Sequence, residues 1–180
     1  TLLFVGPVLS DGISAMAHAT SPDSLLVAAG SSVYRYVRGQ EVAKYDTKVP
    51  NEGIEGDVLS SMLVFGDYVC SLAAHGSTMY IWSLLTTELL QAIGLPSSSQ
   101  ASCFVHPATY LNKVVLGMTD GSLQLWNVRT ASLIHTFDAL DVRGGKKSMN
   151  MTGVVHMTQS PAVDVLAVAY TDGLVSLFDV

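Results

Sequence analysis

The stretch from Asn112 to Phe137, NKVVLGMTDGSLQLWNVRTASLIHTF, decides the fold. It opens on an apolar run, Val114-Val115-Leu116-Gly117, meets the turn pair Asp120-Gly121, and leaves through Ser122-Leu123-Gln124-Leu125-Trp126-Asn127-Val128. Leu123 and Leu125 alternate with Ser122 and Gln124, the period-two pattern of a half-buried strand. An Asp-Gly pair suits a two-residue hairpin, because both central positions of that turn tolerate positive φ. The unit is therefore strand, tight turn, strand, closing on an aromatic residue.

Working outward, the same unit recurs three more times. Val165 to Tyr170, the pair Asp172-Gly173 and Val175 to Asp179 repeat it, with Phe178 in the place of Trp126. Tyr68 to Ala74, a His75-Gly76 turn and Met79 to Ser83 repeat it around Trp82. The first copy is Leu25 to Ala29, a turn at Gly30-Ser31, and Val33 to Tyr36. The closing aromatics Tyr36, Trp82, Trp126 and Phe178 are separated by 46, 44 and 52 residues, close to the roughly 40–45 residues of a propeller blade. A short apolar strand follows each of the first three, at Glu41 to Tyr45, Glu88 to Ile93 and Leu133 to Phe137. Another precedes the hairpin, as at Val58 to Val64 and Gly153 to Thr158, which makes four strands per repeat.

The expected fold is all-β: a WD-repeat β-propeller of about four four-stranded blades, belonging to a larger ring of about seven. The blades fall roughly at residues 12–46, 58–93, 101–137 and 152–180. Residues 1–6 read as the outer strand of a preceding blade, and 138–151 as a flexible loop. Tyr36, Trp82, Trp126 and Phe178, with the turn residues Asp120, Gly121, Asp172 and Gly173, are the expected structural anchors. An aromatic at one repeated place is inter-blade core rather than a platform for stacking bases.

Composition agrees with a packed domain. Hydrophobic residues make up 49% of the chain and charged ones 13%, which argues against disorder. The net charge of −6, from 15 acidic against 9 basic side chains, is the opposite of a basic phosphate-gripping stripe. Basic residues are scattered, Arg35 with Arg38 in one place and Lys146 with Lys147 in another. Cys70 and Cys103 lie in apolar runs as a buried, reduced pair, which fits an intracellular compartment. No apolar run reaches the length of a membrane span, and Thr1 to Val5 lacks the charged region of a signal peptide. Asn150-Met151-Thr152 matches the glycosylation sequon, which arises often by chance.

The segment His106-Pro107-Ala108-Thr109-Tyr110-Leu111-Asn112-Lys113-Val114, continuing through Gly117 to Val128, resembles the U3 small nucleolar RNA-associated protein 21 family, called WD-repeat protein 36 in animals. Ser160-Pro161-Ala162-Val163-Asp164-Val165 carries the likeness into the next blade, and Leu3-Phe4-Val5-Gly6 extends it more loosely toward the start. The resemblance implies the amino-terminal propeller of a UTP-B subunit of the small-subunit processome, in the nucleolus within the nucleus. It also implies a non-catalytic scaffold supporting U3 snoRNA-dependent maturation of the ribosomal RNA precursor. Partners would be other UTP-B and processome proteins, with U3 snoRNA and pre-rRNA in the same assembly, and neither a membrane nor a small-molecule substrate. Departures from the general WD pattern are plain: the Gly-His pair is missing, and Trp-Asp becomes Trp82-Ser83, Trp126-Asn127 and Phe178-Asp179. The polar tetrad of strong WD repeats is thus expected to be incomplete.

Candidate chemistry is sparse. His18, His75, His106, His135 and His156 are too far apart for a zinc site, and His75 and His106 suit turn hydrogen bonding. No nucleophile elbow is present. Ser97-Ser98-Ser99 reads as a linker, and Glu52, Glu55 and Asp57 as a solvated connection. Gly144-Gly145-Lys146-Lys147-Ser148 fails as a phosphate loop, with Leu140 at the first glycine position, Lys147 at the Ser/Thr position and no helix to follow. Arg143, Lys146 and Lys147 then form a solvated basic loop, whose functional reading is contact with RNA phosphate or an acidic partner. The expectation is no catalytic residue, no metal and no cofactor. The alternatives are a WD scaffold of another complex, such as a ubiquitin-ligase adaptor, and a propeller enzyme. The latter needs acidic or histidine side chains on inner strands that here, near Ile13 to Met16 and Val154 to Met157, are largely apolar.

Overall fold

The computed structural model describes residues 5–20, 22–47, 56–96, 98–139, 152–160 and 162–179. Among the described residues, fifteen strands form four antiparallel sheets whose strand order follows the sequence. The first sheet holds β1 (Ile13–Thr20), β2 (Asp23–Ala29), β3 (Ser32–Val37) and β4 (Gln40–Asp46). The second holds β5 (Leu59–Phe65), β6 (Tyr68–Ala73), β7 (Thr78–Ser83) and β8 (Leu89–Gly94). The third holds β9 (Ala101–Val105), β10 (Lys113–Met118), β11 (Leu123–Asn127) and β12 (Ser132–Phe137). The fourth has three strands among the described residues, β13 (Val154–Gln159), β14 (Val165–Tyr170) and β15 (Val175–Asp179), one fewer than expected. In the other sheets the last strand, β4, β8 or β12, follows the strand of the closing aromatic.

The turns correct the sequence reading. Asp120 and Asp172 keep negative φ, while Gly121 and Gly173 take φ of +89° and +82°. Gly121 N–H donates to the Met118 carbonyl and Met118 N–H to the Ser122 carbonyl, both at 3.0 Å. Tyr170, Gly173 and Leu174 repeat both bonds. This is the three-residue hairpin, a type I turn followed by a glycine in a bulge, and not the two-residue turn expected for Asp-Gly. The aspartate's task is local, since Asp120 Oδ1 accepts from Ser122 N–H at 2.9 Å and Asp172 Oδ1 from Leu174 N–H at 3.1 Å. A two-residue turn with positive φ at both centres occurs instead at Arg38-Gly39, at 48° and 80°, between the paired Val37 and Gln40.

The chain divides into two compact units, Thr1–Ala74 with Thr78–Ala92, and His75–Ser77 with Ile93–Val180. In the first unit, Leu26, Ala28, Val33 and Tyr45 of the first sheet pack against Leu59, Val69, Tyr80 and Trp82 of the second. In the second unit, Val115, Leu123 and Leu125 of the third sheet pack against Val154, Met157, Leu166, Val168 and Tyr170 of the fourth. Each such side chain taken from water contributes about 1.5–3 kcal/mol, so alternation along the strands is what drives the faces together. β11 departs from the half-buried reading: Ser122 and Gln124 are buried as fully as Leu123 and Leu125.

The first strand of each sheet carries a bulge just after its first residue, where the register shifts between Ile13 and Ala15, Leu59 and Ser61, and Val154 and His156, with the matching shift in β9 opposite Gly117 and Met118. A bulge leaves one residue unpaired. In three sheets that residue is serine, whose hydroxyl donates to the neighbouring strand: Ser14 to the Ala28 carbonyl at 3.3 Å, Ser60 to that of Leu72 at 3.3 Å and Ser102 to that of Gly117 at 3.0 Å. In the fourth sheet the position is Val155.

Candidate functional site

The repeated aromatics occupy one register. Tyr36 pairs with Leu25, Trp82 with Val69, Trp126 with Val114 and Phe178 with Leu166. Trp82 is buried against the first sheet, where it meets Tyr45 edge-on at 6.3 Å and stacks on Tyr80 at 5.6 Å. Phe178, half-buried, meets Phe137 edge-on at 4.8 Å. Trp126 is buried on the side of its sheet opposite Leu123 and Leu125. Tyr36 is only half-buried and lines an open surface cavity of about 850 Å³, together with Ile13, Met16, His18, Leu25 and Val27. Asp120, Gly121, Asp172 and Gly173 sit in the hairpin turns described above. Arg143, Lys146 and Lys147 lie outside the described residues, as do Glu52, Glu55 and Ser97 and the first four residues of the strand expected at 1–6, whose residues 5 and 6 are not in a strand.

Polar groups in the core are spent on structure. The Trp82 indole N–H donates to the Asp46 carbonyl at 3.2 Å, and that of Trp126 to Gln124 Oε1 at 3.0 Å. Arg35, read from sequence as one of the scattered basic residues, is buried. Its Nε donates to Ser24 Oγ at 3.0 Å and its Nη1 to the Leu84 carbonyl at 2.8 Å, which also accepts from the Tyr45 hydroxyl at 2.9 Å. A guanidinium's fixed fork can bridge two sheets where an ammonium could not. Burial raises the Tyr45 phenol above its usual value, with Arg35 partly opposing. The Tyr80 hydroxyl donates to Asp57 Oδ2 at 2.7 Å, and burial followed by that carboxylate pushes its pKa well up.

His75 Nδ1 meets Ser77 Oγ at 2.6 Å, and His106 Nδ1 meets the Lys113 carbonyl at 2.8 Å. A carbonyl only accepts, so His106 carries its proton on Nδ1, and burial holds its pKa below the usual imidazole value. His18 Nε2 lies 2.6 Å from Asp23 Oδ1 at the rim of the cavity, with both side chains exposed. Both cysteines are free thiols; Cys70 is fully buried and its pKa driven far up, while Cys103 is pushed up to about 11 by burial. Among the described residues, no three His, Cys, Asp or Glu side chains gather as metal ligands, and no helix is long and apolar enough to cross a membrane. Sequence reasoning missed Arg35 and Gln124, whose only signal was a polar residue where strand alternation called for packing.

Antiparallel sheets of up to four strands, connected in sequence order and packed face to face within each unit, with a recurring aromatic in one register, define a WD-type β-propeller protein. The solved structures agree on the fold. The computationally designed Ika4 protein superposes with a TM-score of 0.73 at 16% identity, covering 100% of this chain and 98% of that one. The Myceliophteria thermophila Cps50 (Swd1) β-propeller domain does so with a TM-score of 0.69 at 13% identity, covering 93% of this chain and 52% of that one.

The chain belongs to the WDR36/Utp21 first β-propeller family, whose model matches residues 1–180. It is 32% identical over 99% of its length to the U3 small nucleolar RNA-associated protein 21 homolog of Schizosaccharomyces pombe, and 38% identical over 64% to human WD repeat-containing protein 36. It spans 18% and 12% of the lengths of those two relatives.

Proposed function

We propose that this chain is a non-catalytic scaffold module in ribosome biogenesis, part of a UTP-B subunit of the small-subunit processome in the nucleolus. It supports U3 snoRNA-dependent processing of pre-rRNA through protein-protein contacts. The observation that carries this reading is the family membership over residues 1–180, joined by the relative named for U3 small nucleolar RNA association. The interior supports it: Arg35, Gln124, Tyr80 and the two indoles are held in hydrogen bonds that brace sheets. Rigid sheets with variable connecting loops present several partner surfaces without chemistry of their own. On this reading the blades run roughly over 12–46, 58–93, 101–137 and 152–180, and Arg143, Lys146 and Lys147 meet RNA phosphate or an acidic partner.

The test is to tag the full-length protein that contains this chain, purify it at moderate salt, and identify the protein and RNA that come with it. Recovery of U3 RNA with other nucleolar propeller subunits is the expected result. Recovery of ubiquitin-ligase, cytoskeletal or secretory components in their place would sink the reading. Charge reversal at Arg143, Lys146 and Lys147 should then weaken RNA recovery and flatten its salt dependence, because each lost phosphate contact lowers the salt slope by about one.

A further inference from the structure

In a sheet whose strands follow the sequence, the first and third connections share one end and the second lies at the other. At the shared end the third sheet differs from the rest in charge. Its two connections, residues 106–112 and 128–131, contain Arg129 and no Asp or Glu, and Lys113 begins β10 beside them. The corresponding connections carry Asp67 and Glu88 in the second sheet and Asp164 in the fourth; the first has Arg38, with Asp23 at the start of β2. The third sheet's own carboxylates stand at its other end, Asp120 in the β10–β11 turn and Asp138 just past β12.

The connection 106–112 is braced along its length. His106 Nδ1 donates to the Lys113 carbonyl at 2.8 Å, Tyr110 N–H to the Pro107 carbonyl at 3.0 Å, and Ala108 N–H to Gln159 Oε1 of β13 at 2.7 Å. Val128 N–H donates to the Asn112 carbonyl at 2.9 Å, one step beyond the Lys113–Asn127 pair, so that Leu111 and Arg129 flank this bond. The Lys113 ammonium rests 4.0 Å over the Tyr110 ring. Leu111 is 91% exposed, and Leu133 and Ile134, where β12 leaves the second connection, are 41% and 45% exposed. No other large hydrophobic residue among those described from 101 to 139 is exposed.

A lone exposed leucine needs no explanation, but one held out on a braced loop between two cations does. Because the loop is already ordered, little conformational freedom is left to lose on binding. Two cations in a chain of net charge −6 give a nucleic acid few phosphate contacts, and they leave Leu111 without a role. Carboxylates beside an aliphatic side chain match both features. We propose that this end of the third sheet docks a short acidic segment of a partner protein, its carboxylates against Arg129 and Lys113 and an aliphatic side chain against Leu111. The inference rests on the reading of this chain as a protein-binding scaffold, and it names the chemistry of one partner.

Photo-crosslinking tests this, with benzoylphenylalanine at position 111 of the full-length protein that contains this chain, irradiated in cells and mapped by mass spectrometry. The expected adduct is a peptide of another protein in which an aliphatic residue lies close to several Asp or Glu. A synthetic copy of that peptide should bind the full-length protein in fluorescence anisotropy, and more weakly as salt rises. Arg129→Glu and Leu111→Ser should each weaken it about tenfold, with Lys113→Glu as the second charge variant should Arg129→Glu lose the parental circular dichroism. A peptide with its acidic residues changed to lysine should prefer the Arg129→Glu protein. An adduct with RNA, with another segment of the same protein or with a peptide lacking acidic residues overturns the proposal. So does the absence of any adduct, or an affinity that Arg129→Glu and Lys113→Glu leave unchanged. An acidic segment from a protein outside ribosome assembly would uphold this site and sink the processome reading. Recovery of U3 RNA and processome proteins with no adduct at position 111 would do the reverse.

Discussion

Replacing Gly76 by alanine separates two costs that a glycine in a turn can hide. Gly76 has φ of +66°, where an L side chain is strained by about 1 kcal/mol. A Cβ there would stand 2.3 Å from the Ala101 carbonyl oxygen, 3.0 Å from its nitrogen and 3.1 Å from Gln100 Cβ. The nearest obstacles are backbone, so β9 must move, and moving it stretches the 2.8 Å bond from Ala101 N–H to the Gly76 carbonyl. Loss of that bond costs about 1 kcal/mol and the forced repacking about 1 more, for a total near 3 kcal/mol. Gly173 is the control in the same unit: its φ is +82°, but nothing lies within 4 Å of an added Cβ. Gly173→Ala should cost only the strain, about 1 kcal/mol. Urea denaturation followed by tryptophan fluorescence reads both, with Trp126 reporting on that unit. A Gly76→Ala chain that loses no more than Gly173→Ala would refute the reasoning.

Arg35→Lys keeps the charge but not the fork, and should lose about 2–3 kcal/mol in the same denaturation assay, more than Arg35→Met, because a buried ammonium is left short of partners. Gln124→Leu strands the Trp126 indole N–H and should cost about 1–3 kcal/mol, most of which Gln124→Leu with Trp126→Phe recovers; a double-mutant cycle with no coupling argues against the bond. The Cys103 pKa is raised on folding, so its stabilising contribution is whole below the free thiol's value of about 8.5 and is lost as pH climbs toward about 11. Wild type should therefore lose stability faster than Cys103→Ala over that window, the comparison removing the shared effect of the buried tyrosines.

What the sequence made legible is the part governed by pattern. Four aromatics at nearly even spacing, each preceded by an apolar run and a glycine turn, are enough to place the hairpins. Asp-Gly did not reveal the turn type, because the same pair serves a two-residue hairpin and a type I turn with a bulged glycine. The difference depends on which strand residues pair. Arg35 and Gln124 look like solvent-facing residues on an alternating strand, yet both are buried and hydrogen-bonded. The methionines 16, 62 and 157 and the serines 14, 60 and 102 are also repeated. Their spacing passes unnoticed because neither residue type announces a strand position. Candidate contacts in the loop at Arg143 to Lys147 rest on the sequence alone.

The bulge serines bear on how the molecule opens. In the first three sheets a side-chain hydroxyl ties the irregular start of the first strand to its neighbour, and a fourth strand covers the far edge. The fourth sheet has Val155 for the first of these restraints and lacks the second among its described strands. Local fluctuations should therefore begin there. Amide hydrogen exchange would show β15 losing protection first, β13 and β14 following as one cooperative unit, and β10 and β11 last.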